Sequence, residues 1–168
     1  MQRSLDARTS RLLDIQGFEA VDRQHLAQVA PWLRLAYGLC TGLVLVGTIT
    51  ASPVILLCLT PVAALGAALP IHPFDLIYNH GIRRLTGTGA LPRRGAPARF
   101  ACGLAVPWLL VTAWAFSAGH AAVGFALAST LVVVGGLVST THVCIPSMLY
   151  RALFGWPQSR DNDPRATS

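Results

Sequence analysis

From Phe100 to Tyr150 the chain runs for 51 residues without an Asp, Glu, Lys or Arg, framed by Arg99 and Arg151. A single helix of that length would reach roughly 75 Å, more than twice the roughly 30 Å hydrocarbon core of a bilayer. The tract must therefore fold back, and the small, polar break Ser117-Ala118-Gly119-His120 is where it can. It reads as a transmembrane helical hairpin. A second uncharged tract, Leu35 to Phe74, is 40 residues long and again too long for one crossing. Thr50, Ser52 and Pro53 interrupt its apolar pattern, so its break falls at Thr48 to Pro53. Together the two tracts predict four spans at about 35–51, 53–71, 100–118 and 121–145.

The placement of charge orients these spans. All 13 basic residues are Arg, and the seven acids stand at 6, 14, 19, 22, 75, 161 and 163. With four crossings the N-terminus, the central loop and the C-terminus share one side, which then carries every charge, while the two opposite loops carry none. By the positive-inside rule that side is cytoplasmic, and the expected location is the inner (plasma) membrane. Three or five spans would export an Arg-bearing segment. Only 12% of residues are charged and the mean hydropathy is +0.53, against about 25% charged in ordinary globular chains. The net charge of +6 therefore reflects orientation and anionic headgroups rather than nucleic acid. The polar start has no apolar stretch before residue 35, so no cleavable signal peptide is expected.

The expected fold class is all-α: an integral membrane four-helix bundle of two transmembrane hairpins, with short amphipathic surface helices. Residues 1–30 read as a polar, partly disordered cytoplasmic segment, because Leu12, Leu13 and Ile15 are too few to form a core. Residues 31–156 form the membrane domain and 157–168 a polar tail without pattern. A short helix from about Val21 to Arg34 would approach the membrane, with Trp32 at headgroup depth and Arg34 snorkelling. Pro61 and Pro107 should kink their spans, and Thr60 is placed to satisfy the carbonyl that Pro61 frees. Gly38-x-x-x-Gly42, Ala63-x-x-x-Ala67, Gly124-x-x-x-Ala128 and Gly135-x-x-x-Ser139 offer small-residue packing faces.

Polar chemistry returns at His72. Pro73 suits a helix start and Asp75 its first turn. Phe74, Ile77, Tyr78, Ile82 and Leu85 follow at helical spacing, facing away from Asp75, Asn79, Arg83 and Arg84, so residues 73–85 read as an amphipathic surface helix. Thr86 to Ala98 reads as a mobile linker. After Pro146, Met148, Leu149, Leu153 and Trp156 suggest a second surface helix over 146–156. Each half thus ends in a His, a Pro and a Tyr: His72, Pro73 and Tyr78, then His142, Pro146 and Tyr150. That pattern suggests a parallel internal repeat.

Three motifs carry a family resemblance: Pro73-Phe-Asp-Leu-Ile-Tyr-Asn-His-Gly-Ile-Arg-Arg84, Pro97-Ala-Arg-Phe-Ala-Cys-Gly103 and Val143-Cys-Ile-Pro-Ser-Met-Leu-Tyr-Arg151. Over roughly residues 17 to 156 the chain resembles the bacterial membrane family known as domain of unknown function 4395. The resemblance implies a multi-span membrane protein and no established activity. Many members of that family carry Cys-x-x-Cys where this chain has Cys144-Ile145-Pro146-Ser147, so Ser147 replaces the second thiol of a dithiol pair.

Candidate sites follow from residue type. Cys40, Cys58, Cys102 and Cys144 are free thiols, which most simply are small packing residues. The sharper reading makes Cys144 a redox or sulfur-relay thiol at the water interface, its pKa lowered by His142. His72, His142, Asp75 and Cys144 share one depth and are ligand types for zinc or iron, and two facing His side chains would suit a haem. The plainer reading is that they cap helix ends and meet headgroups, so no metal and no cofactor is expected. Arg83, Arg84, Arg93, Arg94, Arg99 and Arg151 form a cationic face for headgroups or a partner. Thr112, Ser129, Thr130, Ser139, Thr140 and Thr141 could line a neutral pathway, but such hydroxyls more often bond their own backbone. No phosphate loop, nucleophile elbow, zinc-protease motif or paired carboxylate is present, so enzyme status is unsupported. The function expected is that of a non-catalytic membrane subunit or accessory protein, contacting the bilayer and a protein partner or a second copy. The alternatives are a thiol relay centred on Cys144 and an oligomeric transporter of a neutral solute.

Overall fold

A computed structural model describes residues 5–156; the first four residues and the polar tail from Pro157 to Ser168 lie outside the described residues. Within them every regular element is a helix. Helix α1 (Ala7–Leu13) runs on through a π turn at Asp14–Phe18. Helix α2 (Arg23–Ile49) is capped by Asp22, whose side chain accepts from the His25 amide at 2.9 Å. After a sharp turn comes α3 (Pro53–Ala68). Helix α4 (Pro73–Ile77) continues through a second π turn at Tyr78–Ile82 into α5 (Arg83–Thr86), which ends on Gly87 in the left-handed conformation. The long helices α6 (Ala96–Ser117) and α7 (Ala121–Thr141) meet at the turn around Gly119, and α8 (Ile145–Phe154) closes the described chain. Pro53, Pro73, Pro97 and Pro146 all fall in first turns, where the missing N–H leaves no intrahelical bond unmade.

Helices α2, α6 and α7 are each long and apolar enough to cross a membrane. Helix α3 spans about 24 Å and reaches that standard only together with the segment Pro73–Thr86, from which it is bent by 84°. The outer surface agrees with an apolar surrounding: Ile49 is 74%, Val133 68% and Val54 64% exposed. Inverted amphipathicity says the same of the short helices. Asp75 and Tyr78 of α4 and its π turn, and Ser147 and Arg151 of α8, point into the protein, while Ile77, Leu85, Leu153 and Phe154 point outward. A soluble helix does the opposite.

Helix α3 packs along α6 and α2 along α7, with α2 also touching α3 and α6 touching α7; α4 rests on α2 and α8 on α6. Exchanging the set α2, α3, α4 for the set α6, α7, α8 maps each of these neighbours onto another, as a parallel repeat would. Small residues permit the close approaches: a Cβ at Gly124 would sit 2.7 Å from the Phe116 ring, and one at Gly135 2.3 Å from Thr41 Oγ1. Gly38 and Gly42 have no neighbour there and face outward, so their stripe is not an internal packing face. Thr60 donates to Leu56 O at 3.0 Å rather than to the Leu57 carbonyl that Pro61 leaves without an N–H.

Three expectations are corrected at the charged end. Residues 7–18 form α1 and a π turn kinked at Gly17, whose φ is positive, and Leu13 and Phe18 are buried in a cluster with Leu26, Val29, Leu33, Tyr78 and Leu91. Leu12, Leu13 and Ile15 looked too few for a core because their partners come from elsewhere in the chain. Each large side chain fully buried there contributes roughly 1.5–3 kcal/mol. Val21 to Arg34 is not a separate approach helix: α2 is continuous for 27 residues across Pro31. The segment 86–98 is also tied down, by the Leu91 amide donating to Asn79 Oδ1 at 2.9 Å and the Arg94 amide donating to Pro70 O at 2.7 Å.

Candidate functional site

Asp75 stands in the first turn of α4, next to the two uncharged tracts, and it is the only acid between Asp22 and Asp161. It faces inward because Arg94 meets it there: Arg94 Nε donates to Oδ2 at 2.7 Å and Nη2 to Oδ1 at 3.0 Å. Their side chains are 1% and 2% exposed. A pair so far from water persists only with such two-pronged geometry. Burial opposes the guanidinium charge, but Tyr37 and Asp75 more than offset it and hold the Arg94 pKa above its ordinary value. The guanidinium carbon also lies 4.7 Å from the centre of the Tyr37 ring. Arg94 Nη1 and Tyr37 Oη are buried without a hydrogen-bond partner among the described residues.

His72 caps α4, its Nδ1 accepting from the Phe74 amide at 3.3 Å. Its ring fills the space that Gly66 leaves: a Cβ on Gly66 would stand 2.4 Å from His72 Cδ2 and 3.2 Å from Cys102 Sγ. Burial, then the nearby Arg94, pushes the His72 pKa down to about 4, so the imidazole is neutral.

These residues stand at one end of a cavity of about 340 Å³ between α2, α3, α6, α7 and α8. Tyr37, Cys40, His72, Arg94, Cys102 and Cys144 line that end, and nearly all the remaining lining is apolar. The more exposed lining residues are Leu104, Trp108, Thr130, Ile145 and Leu149, which put the mouth where α6, α7 and α8 meet. Trp108 is held there by its indole N–H, which donates to Leu127 O at 3.0 Å.

A second knot lies beside the first. His142 takes the left-handed conformation that ends α7; its Nε2 accepts from Arg34 Nε at 2.7 Å and its carbonyl from Gln16 Nε2 at 2.6 Å. Burial, then Arg34, pushes the His142 pKa down to about 4. The ring is therefore neutral, engaged by Arg34 and unable to stabilise a Cys144 thiolate. Cys144 is itself buried, 4% exposed, rather than placed at the water interface, and burial raises its pKa. Ser147 Oγ lies 3.1 Å from Cys144 Sγ and 3.2 Å from Pro97 O. Pro146, between them, lines the cavity.

The structure separates the six arginines proposed as one face. Arg94 is buried on Asp75. Arg151 donates to the carbonyls of Ile15 (3.2 Å) and Asp14 (2.9 Å) and pairs with Glu19. Arg99 donates to the last carbonyls of α3, Ala67 at 2.9 Å and Ala68 at 2.7 Å. Arg83, Arg84 and Arg93 alone of the six are exposed. Among the described residues no three His, Cys, Asp or Glu side chains are grouped to hold a metal ion, so His72, His142, Asp75 and Cys144 do not form one centre. The hydroxyls of Thr112, Thr130, Ser139, Thr140 and Thr141 all bond carbonyls of their own helices.

A family model described as domain of unknown function (DUF4395) matches residues 30–154. The chain belongs to that family. No curated protein and no solved structure matches the chain. The DUF4395 region holds the whole cavity lining, whereas Gln16 and the two carbonyls that fix Arg151 come from the segment before it. Sequence reasoning missed Tyr37, Gln16 and Gly66. The isolation of Asp75 was the available signal for the Arg94 pair, since a lone acid beside uncharged helices needs a basic partner.

Proposed function

We propose that this DUF4395 protein is a small polytopic protein of the inner membrane, with α2, α3, α6 and α7 crossing as two hairpins and both termini cytoplasmic. In this reading it acts as a non-catalytic membrane subunit that takes a lipophilic small molecule from the bilayer into its central cavity. The confinement of charge to one end and the outward apolar faces support the topology. One observation carries the binding role: an apolar cavity of about 340 Å³ ends on the buried, paired Arg94. Sites of this size with a few placed polar groups are the usual form of small-molecule sites. Arg83, Arg84 and Arg93 remain as the headgroup or partner contacts.

The thiol-relay alternative is favoured by one fact, that Cys40, Cys102 and Cys144 line the same cavity. Against it, the buried Cys144 thiol stays protonated, and the thiolate is the nucleophile. The transporter alternative loses its polar lining to backbone hydrogen bonds within the helices.

The test is extraction. Protein purified from membranes into nanodiscs of a synthetic phospholipid should release about one lipophilic molecule per chain besides the disc lipid, and Ala105→Phe, which fills the cavity, should release the disc lipid alone. Identical extracts from the two proteins would refute the binding role.

A further inference from the structure

We infer that Arg34, steadied by His142, is an anion site at headgroup depth, and that its ligand is the phosphate of an anionic phospholipid in the leaflet at the charged end. The site is separate from the cavity and stands or falls without the ligand role proposed there.

Position sets the depth. Arg34 is the last charged residue before the 40-residue uncharged tract that begins at Leu35. The ring that meets it belongs to His142, which ends α7 at the same end of the bundle. Both groups therefore lie where the hydrocarbon core of a bilayer gives way to its phosphates.

Orientation comes from His142. Arg34 Nε donates to His142 Nε2 at 2.7 Å. A guanidinium is only ever the donor, so Nε2 carries no proton and the imidazole is neutral. His142 is itself fixed: its φ is 61°, its amide donates to Val138 O at 3.1 Å, and its carbonyl accepts from Gln16 Nε2 at 2.6 Å. One edge of the guanidinium is thereby anchored, and the edge formed by Nη1 and Nη2 is left to meet something else.

That second edge has no partner among the described residues. The ion pairs there belong to other arginines, Arg23 with Asp14, Arg94 with Asp75 and Arg151 with Glu19. Arg34 is half-buried, yet its Nη1 and Nη2, unlike Arg94 Nη1, are not shut away from the surface. A partly desolvated cation without a carboxylate, offering two parallel N–H groups outward, matches two oxygens of one phosphate. An anionic lipid balances that charge, whereas a zwitterionic one brings a second cation. One and two turns further along α2, at the spacing that keeps residues on one face, Gly38 and Gly42 are exposed and meet no neighbour. A hydrocarbon chain can therefore descend from the phosphate without meeting a side chain there.

The experiment uses the full chain in a neutral detergent, with dioleoylphosphatidylglycerol as the probe and native mass spectrometry as the readout. One tightly held adduct is expected. Arg34→Gln should weaken it at least about tenfold, the effect of losing a charged hydrogen-bond partner. Arg8→Gln/Arg11→Gln, which removes twice the charge from exposed positions on α1, should leave it in place. An adduct indifferent to Arg34→Gln, or weakened as much by the α1 variant, would overturn the assignment. Competition on the unaltered chain decides the ligand even where Arg34→Gln fails to fold: dioleoylphosphatidic acid should displace the probe, and dioleoylglycerol and dioleoylphosphatidylcholine should not. Displacement by dioleoylglycerol as readily as by the phosphatidic acid would refute the phosphate contact. Displacement by inorganic phosphate would make this a site for a soluble anion and overturn the lipid as its ligand. A chain that retains no adduct would refute the inference outright and leave Arg34 to a carboxylate of a protein partner.

Discussion

Replacing Asp75 by Asn is the most informative single change in this protein. The side chains of Asp75 and Arg94 are at most 2% exposed, and both carboxylate oxygens are used. Asparagine keeps one acceptor, removes the compensating charge and leaves a guanidinium buried beside Tyr37. Breaking one side of a buried pair costs about 3–5 kcal/mol. For a chain of this size each kcal/mol moves the midpoint by about 2–4 °C, so Tm should fall by on the order of 10 °C. Thermal unfolding in detergent, followed by Trp fluorescence, measures this. Replacing the pair together, as Arg94→Met/Asp75→Leu, should recover most of the loss, because an apolar pair of similar volume needs no compensation. A shift for Asp75→Asn below about 3 °C, or a double variant no more stable than the single one, would refute the claim that this pair is desolvated and coupled.

Other expected outcomes probe its surroundings. Gly66→Ala should destabilise by about 1–3 kcal/mol in the same assay, because its Cβ would stand 2.4 Å from the capped His72 ring. A wild-type Tm would mean the ring is free to move. Ser147→Cys should form a disulfide with Cys144 under mild oxidation, since Ser147 Oγ already lies 3.1 Å from Sγ; five alkylatable thiols after oxidation, in place of the three left by Cys40, Cys58 and Cys102, would contradict the geometry of α8. His72 and His142 have pKa values depressed from 6.5 to about 4. Unfolding lets them take up protons below 6.5, so the stability they contribute is complete above pH 6.5 and lost as the pH falls to about 4. Tm should fall across that window and fall less in His72→Gln; a profile flat down to pH 4.5 would show both imidazoles in contact with water.

The helices were legible because bilayer physics leaves few choices. An uncharged tract longer than one crossing must turn, and the turns lie at the small polar breaks before Pro53 and at Gly119. The surface helix after His72 was legible from Pro73 and its periodicity, but its orientation was not. Asp75 was assigned to the polar side, whereas Arg94, 19 residues later, draws it into the protein. Pairing across a loop rich in Gly and Pro has no local pattern. The same limit hid the role of residues 7–18, whose apolar residues are buried only because Leu26, Tyr78 and Leu91 arrive from other segments. The end of the uncharged tract suggests water for Cys144, whereas the fold buries it beside Ser147 in the lining of the cavity.

Sidedness is the central claim of the proposed topology, because two hairpins with both termini cytoplasmic keep every charged residue of the chain on one side of the bilayer. Fusions of alkaline phosphatase and of a fluorescent protein after Ala118, after Leu85 and after Trp156 measure it directly. The expected result is phosphatase activity only after Ala118 and fluorescence only after Leu85 and Trp156. Active phosphatase after Leu85 or Trp156 would contradict it.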